Sequence, residues 1–179
     1  MANFSTSRLW LMRAAFLGLG VLIIFFHLLP LDTQPRRWAP PDLLVAFAFA
    51  WCLRRPDYAP MLIIAGVMLM ADLLFQRPPG LMTLLVVLGS ESLKNRAAAL
   101  RGASFVAEWL AVCLTLLVIT VLNRVILAIL AVEQAQLSLS LIQMLMTMLA
   151  YPLVVVVTQS LMGVRKLTPS DAEAMGGRG

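Results

Sequence analysis

Apolar residues fall in six blocks divided by short basic or proline-bearing breaks: residues 9 to 29, 43 to 53, 58 to 75, 80 to 89, 103 to 130 and 137 to 164. A helix needs about 20 apolar residues to cross the hydrocarbon of a bilayer, so the first, fifth and sixth blocks predict spanning helices outright. The second block is short. It either crosses locally thinned bilayer with Arg54 and Arg55 snorkelling at its end, or lies among neighbouring helices. The fourth block fades into SESLKNRAAALR at residues 90 to 101, which reads as a helix along the inner surface or as an extension of the fourth helix.

Composition makes this a membrane pattern rather than a soluble one. Hydrophobic residues make up 61% and charged residues 13% of 179, with a mean hydropathy of +0.90, more apolar surface than one soluble domain buries. The expected fold is an all-α polytopic membrane protein of about six transmembrane helices. Residues 1 to 166 would form a single transmembrane domain and residues 167 to 179 a disordered cytoplasmic tail. The net charge of +5 sits between the apolar blocks, as the positive-inside rule expects, and does not point to nucleic acid. An N-in/C-in arrangement places Arg8, Arg13, Arg54, Arg55, Lys94, Arg96, Arg101, Arg165 and Lys166 inside. Only Arg36, Arg37, Arg77 and Arg124 remain outside, and nine against four favours it. Membrane lipid is therefore the first partner.

Several residues stand out within this frame. Asp72 lies inside an apolar block, where an ionised carboxylate costs roughly 2.5 to 3.5 kcal/mol, so it either anchors helix packing from a buried position or is wetted at a helix end. Pro41 and Asp42 read as a helix start, with proline in the first turn. Gly80 follows Pro79 in a turn. Gln143, Thr147 and Tyr151 recur every four residues and so share one inward face, and Pro152 behind them predicts a kink. Glu108, Asn123 and Arg124 lie near the two ends of the fifth block and read as interfacial anchors. Cys52 and Cys113 have no ligand spacing and read as small core residues.

Little in the chain suggests chemistry. There is no GxxxxGK[ST], HExxH or GxSxG, and His27 is the sole histidine, so no enzyme activity, cofactor or metal is expected. The segments PDLL at 41 to 44, WCLRRPD at 51 to 57, AGVMLMADLLF at 65 to 75, the Pro79-Gly80 turn and AYPLVVVV ahead of a basic cluster resemble the MreD family, the rod shape-determining inner-membrane proteins of bacteria. Met68 and Pro79 depart from its usual small residue and leucine.

The resemblance implies a non-enzymatic scaffold of the cell-wall elongation complex. Its partners would be the bitopic protein MreC, the actin-like MreB, the glycosyltransferase RodA and a transpeptidase. The family is also said to share its helical fold with substrate-binding subunits of vitamin transporters, so a small-solute binding subunit is the alternative. A scaffold can be closed by side chains, whereas a substrate subunit needs a cavity of some hundreds of cubic ångströms. Short loops require helix surface for partner binding. Small residues at helical spacing, Ala14 with Gly18 and Ala46 with Ala50, mark the expected docking face for an MreC-like helix.

Overall fold

The computed structural model describes residues 2 to 29, 39 to 100 and 102 to 162, with side chains for 7 to 29, 39 to 100 and 102 to 160. Six α-helices and one short 3-10 turn make up these residues: α1 (Ala2–Leu28), α2 (Leu43–Arg54), the 3-10 turn Pro56–Tyr58, α3 (Met61–Leu74), α4 (Leu81–Leu100), α5 (Phe105–Ile129) and α6 (Leu137–Met162). Ser7–Leu28, Phe105–Ile129 and Leu137–Ser160 are long and apolar enough to cross a membrane, and α2 and α3 are shorter apolar helices. Arg36, Arg37, Trp38, Arg101, Arg165, Lys166 and the tail expected to be disordered lie outside the described residues.

The bundle is apolar on its outer faces as well as in its core, with a few polar groups buried inside. On α6, Leu141, Leu145, Leu149 and Leu153 form an exposed stripe one helical turn apart, while Thr147, Tyr151, Val155 and Thr158 are buried. On α5, Val106, Leu110, Leu114, Leu117 and Val121 face outward, and Glu108 faces in. A continuous aliphatic surface of this extent is not a water-facing one, so this is a membrane protein.

At the centre sits α2. Twelve residues at 1.5 Å each give about 18 Å, well short of the roughly 30 Å of hydrocarbon. All of it except Leu43 is buried, as expected of a helix apolar all round. Of the two readings of this block, the helix among its neighbours is the one observed. It packs mainly against α4 and α6, and Phe16 of α1 stacks on Phe47 with ring centroids 5.0 Å apart and meets Trp51 edge-on at 5.5 Å.

Two glycines set the close approaches around it. A Cβ on Gly20 would lie 2.9 Å from Val67 of α3, and one on Gly89 of α4 would lie 2.9 Å from Ile119 of α5 and 3.4 Å from the ring of Phe49. The charged segment after Gly89 continues α4 rather than lying apart, with Ser90, Leu93 and Ala97 buried.

This packing corrects one expectation. Ala46 and Ala50 are 0% exposed, so they offer no lipid-facing surface. Small side chains on a helix buried on all sides allow its neighbours to approach closely. Ala14 and Gly18 do face outward, and a Cβ on Gly18 meets nothing within 4 Å.

Contacts at the helix ends fix the directions. Arg13 in the first half of α1 reaches the Asp57 carbonyl just after α2, Arg54 at the end of α2 meets Glu108 at the start of α5, and it also meets Gln159 near the end of α6. At the opposite end His27 lies against Phe75, and Asp42 meets both Arg77 and Thr147. Successive helices therefore alternate in direction.

Candidate functional site

Polar chemistry concentrates at the two ends of α2. At its C-terminal end, Arg54 Nε donates to Glu108 Oε1 at 3.3 Å, Tyr151 donates its hydroxyl to the same oxygen at 2.9 Å, and Arg54 Nη1 donates to Gln159 Oε1 at 3.0 Å. Glu108 is 1% exposed and Tyr151 is buried completely.

Local sequence explains the placement. Arg54 is the last residue of α2 and Glu108 lies in the first turn of α5, behind the Ser104 cap. Each charge therefore sits at the helix end whose dipole favours it. Both are buried within the bundle rather than exposed on its surface. The pair binds α2, α5 and α6 together in the interior, and the inward face of Tyr151 and Thr147 is observed as expected.

The other end of α2 begins at Asp42, the N-cap, whose Oδ1 accepts from Val45 N at 3.2 Å. Pro41 precedes the cap instead of occupying the first helical position. Asp42 N donates to Thr147 Oγ1 at 2.8 Å, Thr147 donates to Gln143 O at 2.7 Å, and Arg77 Nη1 approaches Asp42 Oδ2 at 3.4 Å.

Asp72 resolves into the buried alternative. It is 0% exposed, and its Oδ2 accepts from Thr83 Oγ1 at 2.7 Å, Thr83 N at 3.0 Å and Gly80 N at 3.2 Å. It thus reaches across the turn to cap α4, whose N-terminal N–H groups have no helical partner and favour negative charge. Gly80 holds φ +87°, a left-handed value that an added Cβ would strain, and its N–H is thereby offered to the carboxylate. The role of Asp72 is to fasten α3 to α4.

Pro152 frees a carbonyl that α5 uses. α6 runs through it from Leu137 to Met162. Proline lacks the N–H that would bond the carbonyl four residues back, and Trp109 Nε1 donates to that carbonyl, Met148 O, at 2.9 Å. The helix-breaking residue thereby becomes an attachment point for α5.

A cavity of about 230 Å³ opens at the Asp42 end between α2, the α3–α4 turn, α4, α5 and α6. Val45, Leu116, Ile119 and Met144 line its apolar part. Arg77, Asn123, Arg124 and Gln143 bring polar groups to it. Among the described residues no cluster of three or more His, Cys, Asp or Glu side chains could hold a metal ion. Comparison of the chain with protein-family models, with curated proteins and with solved structures returns no match.

Two mutational outcomes follow from these contacts. Glu108→Leu leaves Arg54 buried without its carboxylate and should cost about 3 to 5 kcal/mol, while adding Arg54→Met should recover stability, because removing both charges also removes their desolvation cost. Thermal unfolding in detergent reads this, and an unrelieved double variant would refute it. Trp109→Phe should cost about 1 to 3 kcal/mol in the native chain and nearly nothing in a Pro152→Ala background, where an amide N–H returns to Met148 O. Equal costs in the two backgrounds would show that the indole bond is incidental.

Proposed function

We propose that this chain is a non-enzymatic integral membrane scaffold of the cell-wall elongation complex. In this reading it resides in the bacterial inner membrane and takes part in rod shape determination and lateral peptidoglycan synthesis. Its partners are an MreC-like bitopic protein, MreB, RodA and a transpeptidase.

The observation that carries the reading is the use made of the buried carboxylates. Asp72 caps α4 and Glu108 ties α2 to α5 and α6, so the groups best suited to acid–base chemistry act as fasteners. The resemblance to the MreD family then supplies the complex in which such a scaffold works. A second reading, a small-solute binding subunit of a transporter, is favoured by the cavity of about 230 Å³.

The orientation within this reading is N-in/C-in. Arg8, Arg13, Arg54, Arg55, Lys94 and Arg96 gather at the end of the bundle that holds Asp57, and Arg77 and Arg124 at the other. A reporter active only in the cytoplasm should work when fused after Arg96 and fail when fused after Gln134; the opposite pattern reverses the orientation.

With Ala46 and Ala50 buried, the outward small-residue face of α1 is the docking surface proposed for the MreC-like helix. Replacing Ala14 and Gly18 together by leucine should reduce recovery of the bitopic partner on affinity purification from mild detergent, without lowering the amount of inserted protein. Leucine at Val118 should not. Recovery of a transport ATPase in place of cell-wall synthesis proteins would decide for the second reading.

A further inference from the structure

We infer that the cavity at the Asp42 end is a binding site for a small oxyanion, a carboxylate or phosphate carried by a compact solute or by a lipid headgroup, with Arg124 as the anion-binding residue. Arg124 lies within the apolar span Phe105–Ile129 and lines the cavity. A charged side chain at such a position is costly and needs a counterpart.

Its observed partners are neutral. Nη1 donates to Ser140 Oγ at 2.9 Å and to Ala135 O at 3.2 Å, which leaves the other edge of the guanidinium fork for a ligand. Among the described residues no carboxylate pairs with it: Asp42 is engaged by Arg77 and by the start of α2, and Glu133 stands on the exposed α5–α6 connection at the rim. The site therefore holds a cation that no carboxylate contacts directly among the described residues. A guanidinium recognises carboxylate and phosphate through paired N–H donors.

Two further observations point the same way. The side-chain amides of Asn123 and Gln143 line the cavity, and neither makes a hydrogen bond among the described residues. Both are half-buried, so their donors and acceptors stand open towards the cavity, available to a ligand's oxygens and hydroxyls. Val45, Leu116 and Ile119 supply an apolar floor. Because a dry cavity of about 150 Å³ holds benzene, about 230 Å³ accommodates roughly ten non-hydrogen atoms, the size of a small acid or a headgroup and not of a whole lipid.

The inference shares its cavity with the transporter reading but requires no transport, and it holds equally for a scaffold that senses a ligand. The test uses the full chain in maltoside micelles, melted against inorganic phosphate, glycerol 3-phosphate and succinate at an ionic strength held constant with sodium chloride. A parallel arm uses phosphatidylcholine nanodiscs with and without phosphatidylglycerol. At least one anion should raise Tm saturably, as ligand linkage requires.

Arg124→Gln should weaken that binding about tenfold or more. Gln143→Leu should weaken it too without lowering insertion or the ligand-free Tm, which separates lost binding from lost folding. Val118→Leu should bind as the native chain does. A saturable effect confined to phosphatidylglycerol discs and lost in Arg124→Gln assigns the oxyanion to lipid; one seen with the soluble anions in micelles assigns it to a solute. Absence of any saturable effect, or equal effects in the native chain, Arg124→Gln and Gln143→Leu, overturns the inference. Binding without uptake by reconstituted vesicles removes the transporter reading alone.

Discussion

A helix too short for the membrane, placed where no water reaches, constrains everything around it. α2 spans about 18 Å, so at least one of its ends falls at a depth where backbone and charged groups must be satisfied by protein. Asp42 meets this need at one end with its own cap, Thr147 and Arg77. Arg54 meets it at the other with Glu108 and Gln159. Because α6 supplies a partner at each end, Thr147 and Gln159, the depth of α2 is fixed against α6 as a strut is fixed at two bolts.

Buried ion pairs contribute little net stability once desolvation is counted, and apolar replacements of both partners are often as stable. What Arg54 and Glu108 contribute is therefore best sought in register. A greasy α2 of alanine, phenylalanine and leucine could slide by a turn among α4 and α6 with modest loss of packing. An arginine obliged to find one carboxylate cannot slide. Asp72 acts similarly in the α3–α4 hairpin, where one carboxylate oxygen gathers the hydroxyl and N–H of Thr83 and the N–H of Gly80. Its other oxygen, Oδ1, is buried without a partner among the described residues.

The sequence made the helices legible because they follow from length and polarity alone: six apolar blocks became six helices. The inward face of α6 was equally legible, since spacing of four residues is a property of one helix. Contacts between helices were not. Glu108 and Arg124 sit near helix ends, where an exposed anchor and a buried partner produce the same pattern in a chain; only packing shows that Arg54 is close enough to claim the first. Ala46 and Ala50 failed for a related reason. Small residues mark close helix approach whether the neighbour belongs to the same bundle or to another protein. For Trp109 there was a usable signal, a proline mid-helix that obliges some donor to serve the carbonyl four residues earlier, although the spacing alone does not say which donor.

The two ends of α2 end up chemically unequal, and that inequality bears most directly on function. At the Arg54 end the cation faces a carboxylate that also accepts a phenol, so charges are matched within the bundle and the structure is closed. At the Asp42 end a second arginine, Arg124, is held among the described residues by a hydroxyl and a carbonyl, beside two amides and an open cavity. A protein whose sole task was to hold partners together on its outer faces would gain by filling that space with leucine, as it fills the rest of its interior. Retaining polar groups at membrane depth carries a free-energy cost in every folded molecule, and such groups characteristically mark ligand or ion sites. The scaffold role and the ligand site proposed above would use separate surfaces, so one molecule could serve both.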